Sequence, residues 1–348
     1  MTLTVALVAF VMLKITAQTV AHKSRGVRII TFDAPGAGVK SGQGTVPRSI
    51  NAKGEITGEY YDAKTVVHGF LRTADGSIHT FDVPGASKRN GQGTFSESVN
   101  PRGEITGFYY GADSQVVYTR GFTRDASGSI TTFDGGPEFG TIPQSSNPTG
   151  EITGAYSRGG FVRASDGTVR TFAVSKFVTV PKSINSKGEI TGWYDDKGFV
   201  VHGFVRTASG TITEFDAGPQ VFTTPVSINS AGEITGYYND APSAIHGFVR
   251  SPRGTITSFD VGSNCFTIPH AINERGEIVG DYYQADSLVH GFVRARDGTI
   301  TTFDVRGAAK RFFGDGTTPQ DINSNGEITG WYSDLDGVYH GFLRIPAD

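Results

Sequence analysis

Gly54-Glu55-Ile56-Thr57-Gly58 decides the fold, because the same five residues return at Gly103, Gly150, Gly188, Gly232 and Gly326, and Gly276 opens the variant Gly-Glu-Ile-Val-Gly. Two further markers keep step with it. His-Gly-Phe begins at His68, His202, His246, His290 and His340, and is shortened to Gly121-Phe122 and Gly160-Phe161 in two copies. Thr-Phe-Asp or a near variant ends at Asp33, Asp82, Asp134, Asp216, Asp260 and Asp304, with Phe172-Ala173 in the remaining copy. Each marker thus occurs seven times, at a spacing of about 40–50 residues, which is the range of propeller blades.

One copy suffices to place the strands. Val46 to Asn51 reads as a first strand, and Asn51-Ala52-Lys53-Gly54 as a tight turn opened by Asn and closed by Gly. Glu55 to Asp62 is a second strand, His68 to Thr73 a third, and Ser77 to Asp82 a fourth after the turn at Asp75-Gly76. Short β-rich runs between turns, with no helical period anywhere, predict an all-β chain. Four strands per copy and seven copies predict a seven-bladed β-propeller. The ends agree. Val27 to Asp33 is a fourth strand with nothing before it, and His340 to Ile345 is a third strand with nothing after it. The N-terminal strand is therefore expected to complete the last blade.

Composition fits this scaffold. The 348 residues include 47 glycines, two methionines and one cysteine, with a net charge of −3 that argues against a nucleic-acid partner. Cys265 has no partner for an internal disulfide and reads as a small packing residue. Thr2 to Leu13 is apolar but shorter than the ~20 residues a membrane-spanning helix needs. Residues 1–21 are expected to be a secretory signal cleaved after Ala21, and 22–348 a single propeller domain. The expectation is a secreted or cell-surface monomer, not inserted in a membrane after cleavage, with no cofactor and no metal.

The markers resemble the bacterial extracellular repeat proteins named for a His-Ala-Phe triplet, here His-Gly-Phe. The resemblance covers the chain after the signal and implies a secreted, propeller-like repeat protein without implying an activity. A weaker likeness is to the virginiamycin B lyases, through Gly210-Thr211-Ile212-Thr213-Glu214-Phe215; the Trp-Phe-Thr-Glu strand of that family is missing, so no catalytic residue carries over.

Residues present in every copy answer a need of every copy. The repeated His is expected to be a half-buried imidazole bonded to a neighbouring strand or loop. The Glu of Gly-Glu-Ile and the Asp of Phe-Asp are expected to accept turn N–H groups. Function is sought where the copies differ. Three long connections, 33–45, 82–94 and 304–317, end in Gly-x-Gly-Thr and carry Lys40, Lys88, Arg89, Lys310 and Arg311. They are expected to form a basic wall whose backbone N–H groups also face an anionic ligand. In the first strand one position reads Arg48, Glu97, Gln144, Lys182, Val226, His270 and Gln320, and the next is Ser except for Ala271 and Asp321. Lys182 joins the candidate ligand-binding residues. His270 with Asp321, beside Glu97 and Arg48, forms the candidate catalytic set, as an oriented base. Aromatic residues such as Trp193, Tyr237 and Trp331 offer faces for sugar stacking. The function expected is that of a binding or structural protein, recognising an anionic polysaccharide or protein on its top face, the alternative an extracellular lyase or hydrolase acting on a glycan or small molecule at the channel mouth.

Overall fold

Twenty-eight short strands, alternating with turns, account for the regular structure of the described residues, and none of them is helical. The computed structural model describes residues 26–347 apart from 113–117, 138–139, 158, 220–221, 242–243, 264, 284–287 and 312–313. The proposed signal, 1–21, lies outside the described residues. The strands form five four-stranded antiparallel sheets and one eight-stranded sheet.

One repeat shows how each sheet is built. β2 (Gly44–Ile50), β3 (Ile56–Tyr61), β4 (Val67–Arg72) and β5 (Ile78–Phe81) pair in sequence order, as do the four strands within each of 94–133, 142–172, 179–215, 222–259 and 266–303. In the eight-stranded sheet, β26 (Thr317–Ile322), β27 (Ile328–Ser333) and β28 (Tyr339–Ile345) meet β2 through a single parallel pair, Gly44 with Tyr339. β1 (Arg28–Phe32) pairs antiparallel with β28 over its whole length, from Arg28 opposite Ile345 to Phe32 opposite Gly341. The N-terminal strand therefore lies where the sequence placed it.

The repeated residues bury themselves between sheets. The Phe of each His-Gly-Phe marker (Phe70, Phe122, Phe161, Phe204, Phe248, Phe292, Phe342) is completely buried. It meets edge-on the Phe of the preceding Phe-Asp marker, as in Phe32 with Phe70 at 6.2 Å. An arginine two residues further on lies over that same preceding ring: Arg72 over Phe32 at 5.0 Å, and equally in every other repeat. Each joint thus combines apolar burial with a cation–π contact.

The turn asparagines join the sheets into a circuit. Asn51 Oδ1 accepts the N–H groups of Lys53 and Glu55, while its amide donates to Glu55 Oε2 and to the Asn100 carbonyl. Asn100 donates in turn to Asn147, and the series continues through Asn185, Asn229, Asn273 and Asn323 back to the carbonyl of Asn51. The glutamates of Gly-Glu-Ile therefore accept the asparagine amide, not the turn N–H groups expected of them. Cys265 is buried beside Ile272, Ile278 and Phe292.

Candidate functional site

First strands line the axis: β2, β6 (Thr94–Val99), β10 (Ile142–Ser146), β14 (Thr179–Ile184), β18 (Phe222–Ile228), β22 (Phe266–Ile272) and β26, each beside the next, with β26 beside β2. All carry a bulge at the same place. The register skips Arg48, Glu97, Gln144, Lys182, Val226, His270 and Gln320. The residue before the bulge is proline in every strand except β6, where it is Ser96. Proline has no N–H to give the ladder, so it is tolerated beside the break, and the bulge re-aims the extra side chain. All seven bulged residues remain partly exposed within the channel.

These side chains make a mixed-charge group on one side of the channel. Arg48 Nε and Nη2 donate to Glu59 Oε1 at 2.9 and 2.6 Å, and Glu59 is fully buried with Oε2 unbonded. The Glu59 carboxylate beside it holds the Arg48 guanidinium above its ordinary value despite burial. Lys182 Nζ donates to Gln144 Oε1 at 2.6 Å, and burial pulls its ammonium down against the pull of Glu97. Burial pushes the Glu97 carboxyl up to about 7, with Arg48 and Lys182 opposing and Glu59 reinforcing the rise. Trp193, Tyr237 and Trp331, on the second strands of three different sheets, are partly exposed.

The candidate pair His270 and Asp321 does not form. His270 Nε2 bonds Asp281, a buried carboxylate on β23 (Ile278–Tyr283) of its own sheet. Asp321 belongs to the ring of residues one step beyond the bulges, whose side chains accept the N–H of the next first strand. Ser49 accepts from Val99, Ser98 from Ser146, Ser145 from Ile184, Ser183 from Ile228 and Ser227 from Ile272. Ala271 has no oxygen to offer Ile322. Asp321 makes up the deficit: Oδ1 accepts its neighbour Ile322, and Oδ2 accepts Ile50 of the next strand. Burial pushes this carboxyl up to about 6 against those hydrogen bonds.

The basic connections cross three consecutive joints, but the N–H groups of Gly42 and Gly91 are already committed. Gly42 donates to Gly337 and Gly91 to Thr65, while Val289 donates to Asp315. Gly44, Gly93 and Gly316 have positive φ, and a Cβ on them would strike the carbonyl oxygen of Tyr339, Val67 or Val289. Gly-x-Gly-Thr therefore seals joints, which corrects the expectation that its backbone faces an anion. Lys40, Lys88 and Arg89 are exposed and have no ion pair among the described residues. Lys310 lies 3.3 Å from Asp304 and Arg311 3.9 Å from Asp315.

The repeated histidines take a fixed partner. His68, His202, His246, His290 and His340 each bond through Nδ1, at 2.9 Å, the Asp that ends a Phe-Asp marker. The imidazole lies over a tyrosine, as His68 does over Tyr60. These aspartates were expected to accept turn N–H groups and instead hold imidazoles. Arg120 replaces His and pairs with Asp134, and where the marker shrinks to Gly160-Phe161 the Asp has become Ala173. The constant 14-residue offset, with joint loss of both partners, is the signal sequence reading missed. At the ends of the chain His340 finds Asp33 across 307 residues. Among the described residues no group of three His, Cys, Asp or Glu side chains is arranged to hold a metal ion.

This architecture makes the chain a β-propeller, and solved structures agree. It is similar to the β-propeller domain of the Trilobed protease from Pyrococcus furiosus, with TM-score 0.63, 8% identity, and coverage of 89% of this chain and 95% of that one. That domain is described as having an open velcro topology, whereas here β1 pairs β28. Puromycin hydrolase (TM-score 0.57, 13% identity) and a chain from a structural study of two prolyl endopeptidases (0.56, 11%) also match, over 83% and 91% of this chain. The chain spans about half the length of those enzymes, at 50% of each. At such identities the likeness extends to the fold alone. Compared with protein-family models and with curated proteins, the chain matches none.

Proposed function

We propose that the chain is a seven-bladed, secreted or surface-held propeller of the His-Ala-Phe repeat type, whose channel mouth binds an acidic polysaccharide. The eight-stranded sheet then counts as two blades, β26-β27-β28-β1 and β2-β3-β4-β5, touching at Gly44 and Tyr339. One observation carries the functional reading. Where the fold repeats a bulge, the side chain it presents changes, and Arg48, Glu97, Gln144 and Lys182 fall on successive strands around one side of the channel. Partly exposed Trp193, Tyr237 and Trp331 supply stacking faces, and Lys40, Lys88 and Arg89 supply long-range attraction from the loops above.

Titration of the purified protein with acidic and neutral oligosaccharides at low and high salt tests this. Acidic oligomers are expected to bind in a salt-sensitive manner, and Lys182→Met with Arg48→Gln to weaken binding by about tenfold or more, as for loss of charge-assisted hydrogen bonds. Equal binding of neutral and acidic chains would reject the reading. The His270–Asp281 pair favours a second reading, a lyase or hydrolase using His270 as an oriented base. Products that appear in the same titrations and vanish in His270→Ala would establish it.

A further inference from the structure

Glu97 is a carboxyl that the fold itself does not use. Among the described residues it has no hydrogen-bond partner, although its counterparts Arg48, Lys182 and His270 are all engaged. It projects from its bulge on β6, which lies directly beside β2 and β3, the strands of Arg48 and Glu59, and one strand removed from β14, the strand of Lys182. The charges of all three side chains act on it. Resting on the reading that this channel takes an acidic glycan, we infer that Arg48, Glu97 and Lys182 form a receptor for a sugar carboxylate. Glu97, as the neutral acid, donates its hydrogen to the ligand, and the two cations balance the ligand's charge.

The local chemistry selects this ligand over other anions. Glu59 already balances Arg48, so with Glu97 neutral the group retains one net positive charge, matching one carboxylate. A carboxylate is a strong acceptor for a carboxylic O–H, giving the short charge-assisted bond such pairs form. A sulfate ester, the anion of a much stronger acid, shares that proton poorly. Deprotonated, Glu97 would instead face the ligand as a like charge.

The elements packed around β6 determine when that happens. β2 brings Arg48, β3 brings Glu59 and Tyr61, and β10 brings the uncharged Gln144, while β14, on the far side of β10, brings Lys182. β7 (Ile105–Tyr110) carries Tyr110 edge-on to Phe95, and β4 carries His68 and Arg72, held by Asp82 and by the Phe32 ring. Burial pushes the Tyr61 phenol up to about 12, so it stays neutral. Burial also places the Glu97 transition at about 7, while a sugar carboxylate is ionised above about 4. Binding is thus strongest between those values and declines as pH rises past the upper one.

Calorimetric titration of the full chain with oligogalacturonate, a dextran sulfate fragment and neutral dextran, at about pH 5.5 and about pH 8.5, tests this. Oligogalacturonate is expected to bind at least about tenfold more tightly at the lower pH, since only a small fraction of Glu97 keeps its proton at the higher one. Dextran sulfate is expected to bind more weakly and to lose less at the higher pH, where it also meets the Glu97 charge but gives up little of a shared hydrogen bond. Glu97→Gln, whose amide always donates, is expected to lift binding at the higher pH toward that at the lower; circular dichroism verifies its fold. Lys182→Met should weaken binding at both. Oligogalacturonate binding that ignores pH, or a pH profile unchanged in Glu97→Gln, overturns the inference and leaves the polysaccharide reading intact. Failure of both acidic oligomers at both pH values overturns the reading together with the inference.

Discussion

Two adjacent residues of the same strand behave in opposite ways around the ring. At the bulge the side chains are Arg48, Glu97, Gln144, Lys182, Val226, His270 and Gln320; one step on they are serines, with Ala271 and Asp321 as the exceptions. The second position holds the N–H of the neighbouring strand, and serine repeats because that N–H repeats. The bulged position has no backbone group to serve, so the fold leaves it open to chemistry. Even the two exceptions in the uniform ring obey its rule, because Asp321 supplies the acceptor that Ala271 lacks. Repetition marks a mechanical duty, and variety marks its absence.

That contrast breaks most visibly at Asp321. Asp321→Ala leaves two N–H groups, Ile50 and Ile322, without acceptors, and is expected to cost about 2–6 kcal/mol in urea denaturation at about 1–3 per group. Asp321→Ser combined with Ala271→Ser rebuilds the serine pattern and should recover most of the loss, whereas Asp321→Ser alone should recover only the Ile50 bond. A pH series sharpens the result. The folded carboxyl sits at about 6, above its ordinary 3.8, so the folded state binds more protons between the two. Stability should therefore fall as pH rises from about 4 to about 6, on the order of 2–3 kcal/mol. The double variant should lack that slope.

A smaller effect separates the closing joint from the others. His340→Ala removes the clasp onto Asp33 and is expected to cost on the order of 1 kcal/mol. Burial draws the His340 imidazole down, but Asp334 and Asp33 together outweigh it and leave the imidazole above its ordinary value. This contribution is therefore complete below about pH 6.5 and is lost as pH rises through the folded value. Hydrogen exchange along β1 should accelerate in His340→Ala and remain unchanged in His202→Ala, where both partners lie within one continuous repeat. The smallest effect belongs to the open ring: Val226→Gln or Gln320→Ala should shift stability by no more than about 0.5 kcal/mol. A large loss at either site would mean that the bulged position carries structure after all.

Sequence alone exposed the scaffold because its markers are local. Gly-Glu-Ile-Thr-Gly, His-Gly-Phe and Phe-Asp each lie within one strand or turn, and the unmatched strands at the two ends pointed to the pairing of β1 with β28. The candidate site was only half legible. Arg48, Glu97 and Lys182 stood out as positions that break the repeat, and they lie at the first-strand bulges, yet His270 was given the wrong carboxylate. Proximity of Asp321 in the repeat alignment suggested a partner, but the bulge turns position 270 toward β23 and leaves position 321 facing the next strand. The glycine connections misled for a related reason. Their exposure to an anion was inferred from composition, whereas contact with the adjacent sheet, which no local pattern encodes, determines their conformation. The asparagine circuit was equally hidden, since each amide reaches a carbonyl in another repeat.

The pairing of β1 with β28 also imposes a waiting time on biosynthesis. Asp33 leaves the ribosome 307 residues before His340, an interval of roughly 15 seconds to a minute at about 5–20 residues per second. Throughout it, Arg28-Ile29-Ile30-Thr31-Phe32 is a β-prone strand whose proper neighbour has not been made, and unpaired strands of that kind recruit other chains. The nascent protein can assemble its sheets in order as they emerge, but the first strand to appear is among the last to find its place. Crowded translation, with several copies emerging side by side, is where this molecule is most exposed to exchanging that strand with a sister chain.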